Sequence, residues 1–570
     1  MKKKARQLPH LLASILLLTF FSFSLLGSKF DSPISDEPGH IAAGIAYFRQ
    51  NNLVYNSGSP LLANILSSIP LNFYLNNNDI PHDSSFSQTG YLHSFARELM
   101  YQNKYHIDTF LLLARLPIII LGTGIGLLIY LWTSQLVGPT AALFPLSLYV
   151  FDTNFLAHSH YATTDVPLTF FFMLTLFLYW CYLKYRRRYL YLLTILSFVL
   201  AQLTKISAIY LVPLVWVLEI FYPSPANKKF KSLFILTAVL GLSTWLGINL
   251  LYGFSGLGKS LHYFLTHDPS FLNSPFSIDS VESLLPFKDS VLVQYLYKDF
   301  PLPISYHYLK VFGWVLFRSQ LGQTAFLLNQ FSDSGWWYYF PLTLFFKLHP
   351  ITILGFLASL LFVFNKNNTH HRTYVGMFIV IAFYLLAAST SGINTGIRLV
   401  FPIIPFVFIL SGISISKLKN KIPFLLPLLL LVLSYSTIAV FPHYLGYLNN
   451  AAGPSSRHHL VLADSNIDWG QDLKHLSRYL DTLPKDTSIK MNLFGVTTPE
   501  TYGHDYPLYG PSWIREDNAE YSCEPIDNTL FIISTNQLIG LYLDNHDCFS
   551  WLQEKSPITT IGTSIFVYDL

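Results

Sequence analysis

The sequence predicts a polytopic α-helical membrane protein with a small C-terminal α/β domain on its outer face. Three observations predict this: about eleven apolar runs of spanning length, basic but acid-free short loops between them, and a change after residue 441 to polar text with short alternating runs. The 570 residues are 52% hydrophobic, 16% aromatic and only 12% charged, with a mean hydropathy of +0.39. That is the composition of a bilayer protein, and length here counts spans rather than soluble domains. The net charge of +4 is spread over short loops instead of one basic stripe, which argues against nucleic acid as a partner. Three cysteines, Cys181, Cys523 and Cys548, exclude a disulfide framework or a cysteine metal cluster and leave room for one disulfide.

The apolar runs fall near 9 to 27, 111 to 134, 138 to 157, 164 to 183, 189 to 204, 206 to 222, 231 to 252, 338 to 364, 373 to 391, 397 to 416 and 422 to 441. The eighth is interrupted by Lys347 and Pro350. MKKKARQLPH and the apolar run behind it read as an uncleaved first span, since GSKFDSPISD offers no small-x-small cleavage site. With the N-terminus in the cytoplasm, KYRRRY, NKKFK, NKNNTHHR and KLKNK all face the cytoplasm, as the positive-inside rule requires. Residues 28 to 110, residues 253 to 337 and everything from 442 to 570 then lie outside. Residues 1 to 441 form the membrane domain. NTLFIIST and ITTIGTSIFVYDL, in the last stretch, read as strands of the outer domain.

Chemistry is expected at the outer face. Asp36 and Glu37 follow the first span in SDEPGHIAAGIAYF; Asp36 serves either as a helix cap or as a carboxylate at the mouth of a membrane cavity, able to take a proton from an acceptor hydroxyl. Asp165 opens the fourth span and Asp152 ends the third, where capping again competes with a site role. His158 and His160 lie beside Asp165, but hydrogen bonding explains interfacial histidines better than metal ligation. No metal or other cofactor is expected. Lys205 and Arg398 either snorkel to the interface or serve as the cations of the site. Two cations and two or three carboxylates on one face suit a lipid phosphate and a sugar hydroxyl. A polyprenyl phosphate is already a good leaving group, so its departure asks for cations, and one base on the acceptor suffices for a single inverting displacement. A lipid or solute transporter is the competing class, although the chain carries no internal repeat and its charged groups gather at one face. A non-catalytic glycan-assembly protein is a third.

SDEPGHIAAGIAYF, LLARLPIIILG, DTNFLAHSHYATTDVPLTF, LTKISAIYLVPL, WWYYFPLTLFFKLHP, SGINTGIRLVFPIIP, LGYLNNAAGP and DSNIDWGQDLKHLSRYL together resemble the GT-C membrane glycosyltransferases, in the branch of protein O-mannosyltransferases and aminoarabinose transferases. The resemblance implies transfer of mannose or another hexose or pentose from a polyprenyl-phosphate-linked donor to a protein, lipid or glycan acceptor, in the plane of membrane lipids. It implies Asp36 as base, Glu37 as its acidic partner, Asp165 as the second acidic position, and Lys205 and Arg398 near the carrier phosphate. Asp152 and His160 join as substrate contacts. Ser59, Pro60, Leu61 and Leu62 stand where members often show His-Pro-Pro-Leu, a departure that touches acceptor or carrier contacts. Asp464, Asp468, Trp469, Gln471 and Asp472 read either as a sugar-binding signature or as the capped start of an amphipathic helix. A bacterial plasma membrane suits the large outer domain.

Overall fold

The structure is a computed structural model that describes residues 2–53, 58–81, 92–101, 106–221, 226–267, 290–363, 369–418, 422–507, 509, 522–553 and 555–570. Among them six helices are long and apolar enough to cross a membrane: Gln7–Gly27, Ile107–Val137, Asp165–Tyr185, Lys231–Leu251, His371–Ser389 and Ile397–Ser416. Four shorter apolar helices follow the same pattern, Arg188–Gln202, Ile206–Phe221, Pro350–Val363 and Leu425–Ala439. These ten match nine of the predicted runs and the second half of another.

The remaining differences have local causes. The run 138 to 157 is not one helix but two, Leu143–Val150 and Thr153–His158. The chain breaks at Asp152, which is extended and whose Oδ1 accepts the Phe155 N–H at 3.0 Å as the cap of the second helix. The run 338 to 364 also divides, into Tyr339–Lys347 and Pro350–Val363, because a residue before proline is pushed out of the helical region. Lys347 closes the first piece. Its buried ammonium donates to the carbonyls of Leu445 at 2.6 Å and Asn466 at 2.8 Å.

The chain divides into two compact units. The first comprises Met1–Glu37, Arg115–Met173 and Arg318–Leu570. In it Leu143–Val150 is buried at every residue and packs on Ile404–Ser416 and on the first helix. Gly412 is required at that crossing, since a Cβ there would overlap the backbone of Pro145. The same unit holds a four-stranded sheet in the order Ile489–Asn492, Leu530–Ser534, Ile565–Asp569, Thr559–Ile561, the first pair parallel and the others antiparallel.

Strand alternation sends Ile532, Ile565 and Val567 to one face of this sheet, where Leu473, Leu476 and Leu480 of the helix Leu473–Leu480 cover them. Phe531, Ile533, Phe566 and Tyr568 point to the other, against Phe549 and Leu552. Cys523 and Cys548 are joined in a disulfide at that second face.

The second unit comprises Pro38–Ala114 and Leu174–Phe317. Its core gathers Leu61, Ile65, Val199, Leu203, Ile206, Ile248, Tyr252, Tyr308 and Val311. A buried polar chain runs from Tyr179, whose hydroxyl donates to Glu219 at 2.7 Å, to Ser232, which donates to the other Glu219 oxygen at 2.7 Å.

Candidate active site

The loop after the first helix is held by backbone hydrogen bonds to a segment far along the chain. Ser32 N donates to Gln471 O and Ser35 N to Trp469 O, both at 2.9 Å, and Lys474 N donates to Ser32 Oγ at 2.6 Å. Two adjacent carboxylates leave this loop in different directions. Glu37 turns inward and is fully buried. Its Oε1 accepts from Arg115 Nε and from Ala162 N, each at 2.8 Å, and its Oε2 accepts from Arg115 Nη2 at 2.7 Å and Ile34 N at 3.0 Å. Arg115, also fully buried, spends its remaining N–H groups on the carbonyls of Ser28, Asp31 and Ser32. Glu37 therefore works as a tie that closes the loop on the helix Ile107–Val137.

Asp36 turns outward, and its side chain is 39% exposed. Its Oδ2 accepts from Arg398 Nη1 at 2.8 Å, and Asp165 Oδ2 lies 3.9 Å from the same nitrogen. Arg398 is oriented from three sides. Its Nε donates to Ser465 Oγ at 3.1 Å, its guanidinium lies 4.1 Å from the Trp469 ring centre, and Gly396 just before it has φ +155° and approaches Ser465 where a Cβ would collide. Ile397 N completes the seating by donating to Asn466 Oδ1 at 3.0 Å. The hydrogen bonds of Arg398 run through Nε and Nη1, which leaves Nη2 to one side of a guanidinium that is 17% exposed.

Asp464 adds a third carboxylate to the field of Arg398. Its backbone is left-handed, with φ 55°, a conformation Asp tolerates better than most residues. Its Oδ1 accepts Ser465 N at 2.5 Å and its Oδ2 accepts the Tyr542 hydroxyl. Burial pushes the Asp464 carboxyl up to about 6, against the downward pull of Arg398. Asp468 is pushed up to about 7, again by burial, with the Asn536 and Gly470 N–H groups pulling the other way.

The predicted residues thus separate. Asp36, Asp165 and Arg398 meet. Asp152 caps its helix. His160 is buried, with Nε2 2.9 Å from Asp31 Oδ2, an oxygen that also accepts the Tyr161 hydroxyl at 2.5 Å. Lys205 belongs to the second unit, half-buried and extended at φ −156° between Arg188–Gln202 and the short turn Ile206–Tyr210. Sequence reasoning passed over Arg115, Asp31 and Tyr161. The signal for Arg115 was available: it is the lone cation inside an otherwise apolar run, and ionisable groups at such places are paired.

The Dolichyl-phosphate-mannose-protein mannosyltransferase family matches residues 86–252. The similarity to that family lies in this stretch of the chain. The matched stretch contains Asp165 and Lys205; Asp36 and Arg398 lie outside it. An uncharacterized protein of Aquifex aeolicus (strain VF5) is 33% identical over 95 residues, 16% of this chain, so the match spans about a fifth of that relative, 19% of its length.

Solved structures align over most of the chain. ArnT from Cupriavidus metallidurans in the apo state aligns at TM-score 0.47 and 11% identity, over 99% of this chain and 98% of its own. The same protein bound to undecaprenyl phosphate aligns at 0.47 and 12%, over 98% and 97%. The Archaeoglobus fulgidus oligosaccharyltransferase in complex with Zn and sulfate aligns at 0.45 and 13%, over 93% and 68%. With six helices long and apolar enough to cross a membrane and a stretch similar to a mannosyltransferase family, the chain is an integral membrane protein.

Proposed function

We propose that the protein is an inverting glycosyltransferase that moves a sugar from a polyprenyl-phosphate carrier to an acceptor hydroxyl on the outer face of the membrane. The carrying observation is the Asp36–Arg398 pair, a half-exposed carboxylate against an oriented guanidinium, with Asp165 and Asp464 behind it. In this reading the acceptor oxygen attacks the anomeric carbon and gives its proton to Asp36. The bond between that carbon and the phosphate oxygen breaks, and the carrier phosphate leaves as an anion. Arg398 answers the developing negative charge; the family resemblance separately implies a phosphate contact for Lys205. A phosphate engaging Arg398 competes with Asp36 for the cation, so donor binding itself frees the base. Glu37, Asp152 and His160 hold the framework in which Asp36 and Arg398 face each other. Pairing of Cys523 with Cys548 supports an oxidising compartment for the C-terminal segment, and with it the outer placement of the site.

The test is single-turnover transfer by purified Asp36→Asn, using a panel of radiolabelled polyprenyl-phosphate sugars. A positioned carboxylate contributes about 10² to 10⁴ in rate, so transfer should fall by that factor while donor binding and thermal melting stay near wild type. Turnover within about threefold of wild type removes Asp36 as the base, since even a tenfold change is only about 1.4 kcal/mol of barrier.

A further inference from the structure

A second group of side chains converges outside the contacts described for Asp36 and Arg398. His443 follows the helix Leu425–Ala439, Asp472 precedes the helix Leu473–Leu480, and His475 lies in that helix's first turn. One ligand atom from each lies within 4.8 Å of the others. His443 Nδ1 is 3.3 Å from Asp472 Oδ1, and the two imidazole centres are 4.6 Å apart. Asp472 is 1% exposed. Its Oδ2 is fully committed, accepting Thr563 N at 2.9 Å, Ser564 N at 3.1 Å and Ser564 Oγ at 2.9 Å. Its Oδ1 turns instead toward the imidazoles, and neither it, His443 Nδ1 nor His475 Nε2 has a well-aligned hydrogen-bond partner among the described residues. Buried polar atoms are nearly always paired, so three such atoms facing one another call for a cause.

We propose that His443, Asp472 and His475 bind a divalent transition-metal ion of the Zn²⁺ class. Two imidazoles and a carboxylate are a donor set that such ions prefer, and three protein ligands leave a fourth position open. Ligand atoms about 2.0–2.1 Å from a tetrahedral ion lie about 3.3 Å from each other. The His443–Asp472 separation already has that value, and His475 closes the set by a ring movement of about 1.5 Å or less. A support shell is present, since the Thr563 and Ser564 donors fix the carboxylate and Gly562, at φ +61°, passes so close to it that a Cβ would strike the carboxyl group. A metal here ties the chain leaving the last apolar helix to the helix that covers the C-terminal sheet. Without one, the described residues leave these atoms an Asp472–His443 ion pair. This proposal stands independently of the transferase reading, because its readouts use no sugar transfer.

The experiment takes the full chain in detergent, purified without a polyhistidine tag, stripped with a chelator and titrated with Co²⁺ and then Zn²⁺. The expected result is about one equivalent of Co²⁺ with the intense visible bands of four- or five-coordination, displaced by Zn²⁺, and a higher melting temperature with Zn²⁺. His475→Phe keeps the ring that stacks on Phe30 and removes the donor, so it should melt like the stripped wild type and take up no metal. His443→Phe repeats the comparison if His475→Phe fails to fold. A weak, six-coordinate Co²⁺ spectrum in wild type, or equal uptake by wild type and a folded variant, overturns the proposal and leaves the ion pair.

Discussion

Replacing Glu37 by Gln should unfold the protein far more readily than replacing its neighbour Asp36 by Asn. Whichever way the introduced amide turns, one carboxylate oxygen becomes an NH₂ facing two donors, an Arg115 N–H and a backbone N–H from either Ala162 or Ile34. Two hydrogen bonds are lost, one of them between charged groups, and a fully buried guanidinium loses its counter-charge. Breaking a buried pair on one side costs about 3–5 kcal/mol, a large share of the roughly 5–15 kcal/mol that holds a domain folded. The assay is denaturant unfolding of the purified protein in detergent, followed by tryptophan fluorescence, for Glu37→Gln, Arg115→Met and the double variant. The double variant should cost well under the sum of the two, because the second substitution removes the charge that the first left unbalanced. A Glu37→Gln loss below about 1 kcal/mol, or simple additivity, would refute the role of this pair as the tie that closes the loop.

Lys205→Ala should weaken donor binding by about 1.5–3 kcal/mol, the worth of a charge-assisted hydrogen bond, with the melting temperature unchanged; unaltered donor affinity would make Lys205 an interface anchor. Asp464 carries a folded-state pKa of about 6, above that of an unfolded Asp near 3.9. The folded state therefore holds its proton more tightly, and wild type should gain stability relative to Asp464→Asn as pH falls from about 7 to about 4, with the difference constant above that window. A pH-independent difference would show that Asp464 is ionised throughout. Alkaline phosphatase fused after Leu570 should be active and fused after Arg188 inactive, as the acid-free basic loops require; the opposite pattern would move Asp36 and Arg398 to the cytoplasmic face.

Much of this architecture is legible from local chemistry. Most span-length apolar runs, the helix start at Asp165 and the alternation in LFIIS and IFVYD each depend on residues a few positions apart, and these appear where the sequence indicates. The meeting of Asp36 with Arg398 rests on a resemblance rather than on any periodicity, because the two are 362 positions apart. The breaks at Asp152 and before Pro350 escape a hydropathy window, which averages over one polar residue among many apolar ones. The sequence pairs Glu37 with Asp36 as its acidic partner, because composition cannot say which of two adjacent carboxylates turns inward. Only the position of Arg115, 78 residues on, separates them.

The hydrogen bonds from Ser32 and Ser35 to the carbonyls of Gln471 and Trp469 carry a consequence for how this protein can vary. The loop that carries the carboxylate at position 36 takes its place from the backbone of residues 469 and 471, and the guanidinium opposite it leans on a tryptophan from the same late segment. Insertions, deletions or exchanges of the C-terminal portion therefore reach the first loop directly through the main chain. The loop around residues 32–36 and the segment 469–474 are constrained to change together.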